Sequence, residues 1–225
     1  MTLPRDASRF WKFLYRLITL LRPLFCTLQV EGHGHVPTQG GCVLVCNHSM
    51  GPDYVVLGYA SPRQVYYMAK MEIFAWHPLL TKVLVAVGVF PVHRGQSDLG
   101  AIQGAVDLVR NGHVVGMFPE GTRSRTGKLQ RGKSGAVRIA MHAGAPVVPA
   151  VVLNAHQVVR GVGRWWPRPT VIVRFGKPIY LSGDAGDSQN AHDNTEKVMA
   201  AMAALLPPEL RGEYIKLDKT DQAIV

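Results

Sequence analysis

The chain has 225 residues, a formal net charge of +10 and 47% hydrophobic residues, which is length and apolar content enough for one large α/β domain and short for two. Three cysteines, none in a C-x-x-C pair, exclude a disulfide framework and a zinc site and fit a reducing cytosol. The positive charge calls for an anionic partner: a phosphate-bearing substrate, an acidic lipid surface or nucleic acid.

Near the N-terminus Phe10, Phe13/Leu14, Leu17/Ile18, Leu21 and Leu24/Phe25 recur at helical spacing beside Arg9, Lys12, Arg16 and Arg22. Such a stripe suits a membrane interface or packing on the chain's own domain, and periodicity does not separate the two. Its aromatic density and cationic flanks favour the membrane. The same cations interrupt any signal peptide or uncharged span of about 18 residues. A strand is expected around Leu28–Glu31, then a loop over Gly32–Gly41. The apolar run Cys42–Cys46 follows as a strand whose cysteines act as small buried hydrophobes. The spacing next predicts a helix from Pro52 to Tyr59 and a strand Val65–Ala69 ending at Lys70. Ile73–Val87 reads as helix restarted by Pro78, Val89–Val92 as a strand, and Asp98–Arg110 as a helix closed by Asn111-Gly112. His113–Phe118, Val147–Leu153 and Val171–Phe175 are further strands. Lys133–Ala143, stopped by Gly144, and Asn190–Leu206 are helices, and the tail from Pro207 reads as polar and peripheral. Strands alternating with helices indicate an α/β sheet. The chain divides into a helical segment 1–27, an α/β domain 28–206 and a tail 207–225.

Four clusters carry chemistry. Asn47-His48-Ser49-Met50-Gly51-Pro52-Asp53 sets a histidine and an aspartate five positions apart directly after a strand. That spacing suits neither one helical face nor one strand face. It fits a strand ending near Asn47, a turn at Gly51 and a helix starting at Pro52, with Asp53 welcome in the first turn. His48 could then receive Asp53 on one ring nitrogen and keep the other as a base, a hydroxyl-activating dyad. The second cluster, Gly88–Gly95, places Arg94 just past a strand, where a guanidinium can fork onto phosphate. In the third, Phe118–Gly127, glycines permit close backbone approach and Thr122, Arg123 and Arg125 add donors and charge. Glu120 there is a substrate-hydroxyl acceptor or an internal counter-ion, and Arg131, Lys133 and Ser134-Gly135 extend the basic surface. The Walker spacing is absent. Lys70 is a further anion contact at a strand end. The fourth, Val147–Val152, is a core strand bent at Pro149 that could also line an apolar groove.

These four segments, in this order from Cys42 to Val152, resemble the glycerophospholipid acyltransferase family, the PlsC-like 1-acylglycerol-3-phosphate acyltransferases. N-H-x4-D is similar to its first motif, Gly88–Gly95 to its second, F-P-E-G-T-R (Phe118–Arg123) to its third and Val147–Ala150 to its fourth. Met50-Gly51 is an uncommon filling of the first. The resemblance implies a single α/β domain with a central mixed, mostly parallel sheet flanked by helices, plus an N-terminal membrane-associating helix. It implies that His48 is the general base and that Asp53 orients and charge-stabilises it. Arg94 and Gly95 would hold the acceptor's phosphate, with Glu120, Gly121, Thr122, Arg123 and Lys70 around the glycerol-phosphate. Val148, Pro149 and Val151 would shape the acyl-chain region. The donor is an activated thioester, acyl-CoA or acyl carrier protein, so no metal, cofactor or protein nucleophile is required. A base contributes about 10²–10⁴-fold. The remainder comes from positioning and from oxyanion stabilisation by backbone N–H groups near His48 or by Lys70. The implied reaction turns lysophosphatidate into phosphatidate at the cytoplasmic face of the cell membrane, with the protein peripheral or monotopic and an anionic surface as partner. The same chemistry on glycerol-3-phosphate, another lysophospholipid or a lyso-ornithine lipid is the alternative. A non-catalytic binder of anionic lipid or nucleic acid has only the net charge behind it, and no nucleic-acid module is recognisable.

Overall fold

Cys42–Cys46 and Val147–Leu153 are unbroken apolar runs, and each becomes a strand with every residue buried. Such strands need cover on both faces. The computed structural model, which describes residues 7–92, 99–160 and 168–215, supplies that cover. In chain order the elements are α1 (Arg9–Phe25), β1 (Thr27–Glu31), β2 (Cys42–Cys46), α2 (Asp53–Ala60), β3 (Val65–Lys70), α3 (Met71–Phe74), α4 (Pro78–Ala86) and β4 (Val89–Val92). Then come α5 (Leu99–Arg110), β5 (Val114–Met117), α6 (Gly135–Ala143), β6 (Val147–Leu153), α7 (Ala155–Arg160), β7 (Thr170–Phe175) and α8 (Ser188–Ala204). The described strands form one 7-stranded sheet ordered β1-β7-β6-β2-β5-β3-β4. Only β6 and β7 run antiparallel; the other neighbours are parallel. The sheet is therefore mixed and mostly parallel, as expected.

Strand alternation sorts the core into two layers. Val43, Val45, Val147 and Val151 pack with α5, α6 and α8 on one face. Cys42, Leu44, Cys46, Val148, Ala150 and Val152 face the other way, towards Leu57 and Ala60 of α2. Each such valine or leucine contributes roughly 1.5–3 kcal/mol by leaving water. Burial pushes the Cys42 thiol up to about 12 and the Cys46 thiol well above its ordinary range. Both are inert core residues, as their place in the run suggested.

α1 is docked on the domain rather than separate from it. Its Trp11 and Tyr15 are buried, the rings of Tyr15 and Tyr59 lie 4.8 Å apart, and Thr19 Oγ1 is 3.0 Å from the Tyr59 hydroxyl. Phe13, Leu20 and Leu24 remain exposed on the outer side. The described part of the tail also differs from expectation. Leu129 N donates to the Leu210 carbonyl at 2.8 Å, and a β-carbon on Gly212 would stand 1.9 Å from the Leu129 oxygen. The segment after Pro207 thus braces the loop between β5 and α6, a contact between residues too distant in sequence to read beforehand. The helix expected over Ile73–Val87 is restarted at Pro78 as anticipated, giving α3 and then α4 with Pro78 as its first residue. Helix α7 has no counterpart among the expectations.

The topology positions the site. β2, β5, β3 and β4 are mutually parallel neighbours, so all four leave the sheet at its carboxyl edge, where ligands collect in open α/β folds. The loops carrying His48 and Glu120–Arg123 follow β2 and β5, and Lys70 is the last residue of β3.

Candidate active site

Asn47 ends β2 by reaching to β6. Its Oδ1 accepts from Val152 N–H at 2.8 Å and its Nδ2 donates to the Val152 carbonyl at 3.1 Å. One side chain thus satisfies both backbone groups of a buried neighbour and fixes where the chain leaves the sheet. The turn that follows is tight: a β-carbon on Gly51 would stand 2.5 Å from the backbone of Ala155 and His156. Glycine is required there by close approach. Pro52 is the N-cap of α2 and Asp53 its first residue, so the helix starts one position later than the sequence suggested.

This turn closes the dyad. His48 Nδ1 lies 3.0 Å from Asp53 Oδ2, and Ser49 Oγ donates to Asp53 Oδ1 at 2.6 Å. The Asp53 side chain is wholly buried. An isolated buried carboxylate is unfavourable; here the two donors and the first turn of α2 compensate. A carboxylate only accepts, so Nδ1 carries the hydrogen and Nε2 is the basic nitrogen. The imidazole stacks on Phe118, with ring centroids 4.2 Å apart and planes inclined by 24°. That contact leaves the ring little freedom.

The loop after β5 holds the same histidine by its backbone. Glu120 Oε1 accepts from His48 N–H at 2.6 Å, while Oε2 accepts from Gln130 N and Nε2 at 3.0 and 3.1 Å. Ser124 N donates to the His48 carbonyl at 2.7 Å. Glu120 is buried, and burial raises its pKa against the lowering effect of these hydrogen bonds. Both its oxygens are engaged by His48 and Gln130, and Glu120 is not among the residues that line the neighbouring cavity.

A cavity of about 600 Å³ opens beside the dyad. His48, Gly121, Thr122 and Arg123 are its polar and basic lining, and Phe118, Tyr67, Met68, Ile73, Leu84 and Val89 are among its apolar walls. A basic end joined to an apolar chamber matches an amphiphile with an anionic head. Among the sequence-derived candidates, His48, Gly121, Thr122 and Arg123 line this space, with Asp53 directly behind His48. Lys70 ends β3 in register with Val92 of β4. Arg94 and Gly95 lie outside the described residues. Val148, Pro149 and Val151 are interior residues of β6 and do not line the described cavity; its apolar walls come from β3, α3, α4 and β4 instead. β6 lies between β2 and β7 in the sheet, and its two faces pack into the two core layers, Val151 in one and Val148 in the other.

Ser49, Phe118 and Gln130 were not singled out from sequence. Ser49 and Phe118 sit inside the motifs and were within reach of a reading that asked what fixes the dyad. Gln130, ten positions beyond its partner Glu120, carries no local signal.

The comparisons agree with this geometry. The family model described as Acyltransferase matches residues 27–153. The 1-acyl-sn-glycerol-3-phosphate acyltransferase of Bacillus subtilis is 29% identical over 210 residues, covering 93% of this chain and 99% of that one. The human enzyme named 1-acyl-sn-glycerol-3-phosphate acyltransferase beta is 31% identical over 186 residues, 80% of this chain and 62% of its own. The crystal structure of the 1-acyl-sn-glycerophosphate acyltransferase PlsC from Thermotoga maritima shares the fold, with a TM-score of 0.65 at 23% identity over 85% of this chain and 78% of that one. With the matched region spanning the strands and loops that assemble the His48–Asp53 dyad, the chain belongs to the acyltransferase family.

Proposed function

We propose that this protein transfers a fatty acyl group from an acyl thioester to the free sn-2 hydroxyl of 1-acylglycerol-3-phosphate, giving phosphatidic acid. The observation that carries the reading is the His48 Nδ1–Asp53 Oδ2 contact of 3.0 Å on the wall of a cavity with a basic end and an apolar chamber. His48 Nε2 takes the hydroxyl proton as the oxygen attacks the thioester carbonyl. Asp53 stabilises the imidazolium that results. When the tetrahedral intermediate collapses, the C–S bond breaks and the imidazolium returns its proton to the departing thiolate. The thioester is already activated, so the reaction as proposed calls on no resident cofactor. Acyl-CoA and acyl carrier protein thioesters present the same carbonyl and leaving group.

A lipid acceptor places the work at a membrane surface, and the proposal extends to a peripheral position on its cytoplasmic face. Two apolar surfaces support this. The outer side of α1 exposes Phe13, Leu20 and Leu24, and α3–α4 with the turn between them expose Trp76, Leu79 and Val83. Ser8 Oγ, capping α1, donates to the carbonyl of Ala86 in α4 at 3.0 Å, so the N-terminal end of α1 meets the C-terminal end of α4. Ile73 and Leu84 of the same α3–α4 segment line the cavity. No helix among the described residues is long and apolar enough to cross a bilayer, so an interfacial position is the one these helices suit.

The test is acyl transfer by purified protein with lysophosphatidate and a long-chain acyl thioester, for wild type and His48→Ala. Product with wild type and near-background turnover with the variant is the expected result. No product from any thioester donor, with protein folded and bound to vesicles, would overturn the assignment of acceptor.

A further inference from the structure

We infer that Lys133, outside the four motifs, is a phosphate ligand of the active site and acts together with Arg123 across Gly121; the inference rests on the proposed acceptor. Gly121 lines the cavity beside Thr122 and Arg123, and its backbone is left-handed, with φ +71°. On the side where an L-residue would carry its β-carbon lies the Lys133 side chain: Nζ stands 3.0 Å from that position, Cε 3.1 Å and Cδ 3.2 Å. The absent side chain of residue 121 is thus the room that the Lys133 side chain occupies, against a glycine of the cavity wall, while Lys133 itself is exposed and lies just behind the lining. A glycine at a left-handed position has a backbone reason; the lysine filling the vacated space is a second and independent one.

The segment bearing Lys133 is held in place. Its own N–H donates to the Pro119 carbonyl at 2.8 Å. Gln130 is bound to Glu120, and a β-carbon on Gly132 would stand 2.6 Å from Met199 Cγ. Lys133 is therefore positioned by the same loop that grips His48. Among the described residues its ammonium forms no ion pair with a carboxylate. From Phe118 to Gly135 there are five cations, Arg123, Arg125, Lys128, Arg131 and Lys133, against the single acid Glu120. Both Glu120 oxygens are taken by His48 and Gln130. None of the five cations is ion-paired with a carboxylate among the described residues. An ammonium packed on Gly121, two residues before the Arg123 guanidinium in the loop, is complementary to a phosphomonoester dianion. The acceptor carries that group on its head. The donor's phosphates are the other source of the same chemistry.

Two measurements on the intact chain decide it. In steady-state transfer, Lys133→Met should raise KM for lysophosphatidate roughly 10- to 100-fold, the worth of one charged hydrogen bond, with kcat within a few-fold and KM for the thioester unchanged. Lys133→Arg should recover most of the loss, and the preference for lysophosphatidate over a phosphate-free monoacylglycerol should collapse in Lys133→Met by the same factor. An unchanged acceptor KM, or a rise confined to the thioester KM, overturns the inference; the latter would give Lys133 to the donor. The second measurement needs no turnover. Amine acylation of wild-type Lys133 by acetic anhydride, read by mass spectrometry, should be slowed by lysophosphatidate and not by monoacylglycerol. Equal labelling with both removes Lys133 from the phosphate site. Protection without acyl transfer by wild type would instead sink the enzymatic reading while the site stands.

Discussion

Asp53→Asn isolates the charge behind His48 with little change of shape. In the native site Asp53 Oδ2 meets His48 Nδ1 at 3.0 Å and Oδ1 accepts from Ser49 Oγ at 2.6 Å. An asparagine has one oxygen and one amide nitrogen for those two places. With its oxygen towards His48, the tautomer survives and only the electrostatic support of the imidazolium is lost. At that contact the charge centres are about 4 Å apart and attract by about 4 kcal/mol at a typical effective dielectric, or roughly a thousandfold in rate. With the amide nitrogen towards His48, Nδ1 must accept, the proton moves to Nε2 and the base is gone, a greater loss. The expected fall in kcat is therefore about 10³- to 10⁴-fold, with KM for the acceptor nearly unchanged, because Asp53 is wholly buried behind the histidine. The assay is release of free thiol from a long-chain acyl thioester at saturating lysophosphatidate, with a thermal melt to confirm folding. A kcat within tenfold of wild type in a folded protein would refute the base role of the dyad.

Three further outcomes follow from the packing. Glu120 is buried and its pKa raised by that burial, so the native state holds its proton more tightly than the unfolded chain. Its contribution is therefore most favourable below the unfolded value of about 4.3 and is lost as pH rises from there through the raised native value. Urea midpoints of wild type relative to Glu120→Gln should fall across that window, and a difference that is flat or rises with pH would contradict the burial account. Gly116→Ala puts a β-carbon 2.4 Å from Tyr67 Cε1 and 2.6 Å from Val65 Cγ1; it should destabilise by about 1–3 kcal/mol and, by pushing Tyr67 into the cavity, shift donor preference to shorter chains. An unaltered chain-length profile would show that Tyr67 does not bound the acyl site. Asn47→Ala strands the buried N–H and carbonyl of Val152, and chemical denaturation should report a loss of about 2–4 kcal/mol; a loss under 1 kcal/mol would mean another group, such as water, takes over both bonds.

The sequence by itself determined which segments become strands and where the chemistry hangs from them. Cys42–Cys46 and Val147–Leu153 are apolar at every position, and only a sheet covered on both faces accommodates such runs. The interval from His48 to Asp53 demanded a turn into a helix because no regular element brings positions five apart together. Those arguments are local, and the local geometry agrees with them. What one segment does to another was decided by tertiary structure. Glu120 faces inward because β2 and β5 lie side by side in parallel, with Val45 opposite Met117, so that its carboxylate meets the His48 N–H. The fourth motif is interior for the same kind of reason, since β7 returns antiparallel along β6 and closes its outer edge. α1 carries two faces that periodicity could not tell apart; the position of Tyr59 selects Trp11 and Tyr15 for burial and leaves Phe13, Leu20 and Leu24 outside. The meeting of Lys133 with Gly121 likewise spans a loop whose path is set by Gln130, Leu210 and Met199. A one-dimensional pattern records which residues an element buries, whereas which buried or charged groups meet depends on strand order and loop path, and these follow from the packing of the whole chain.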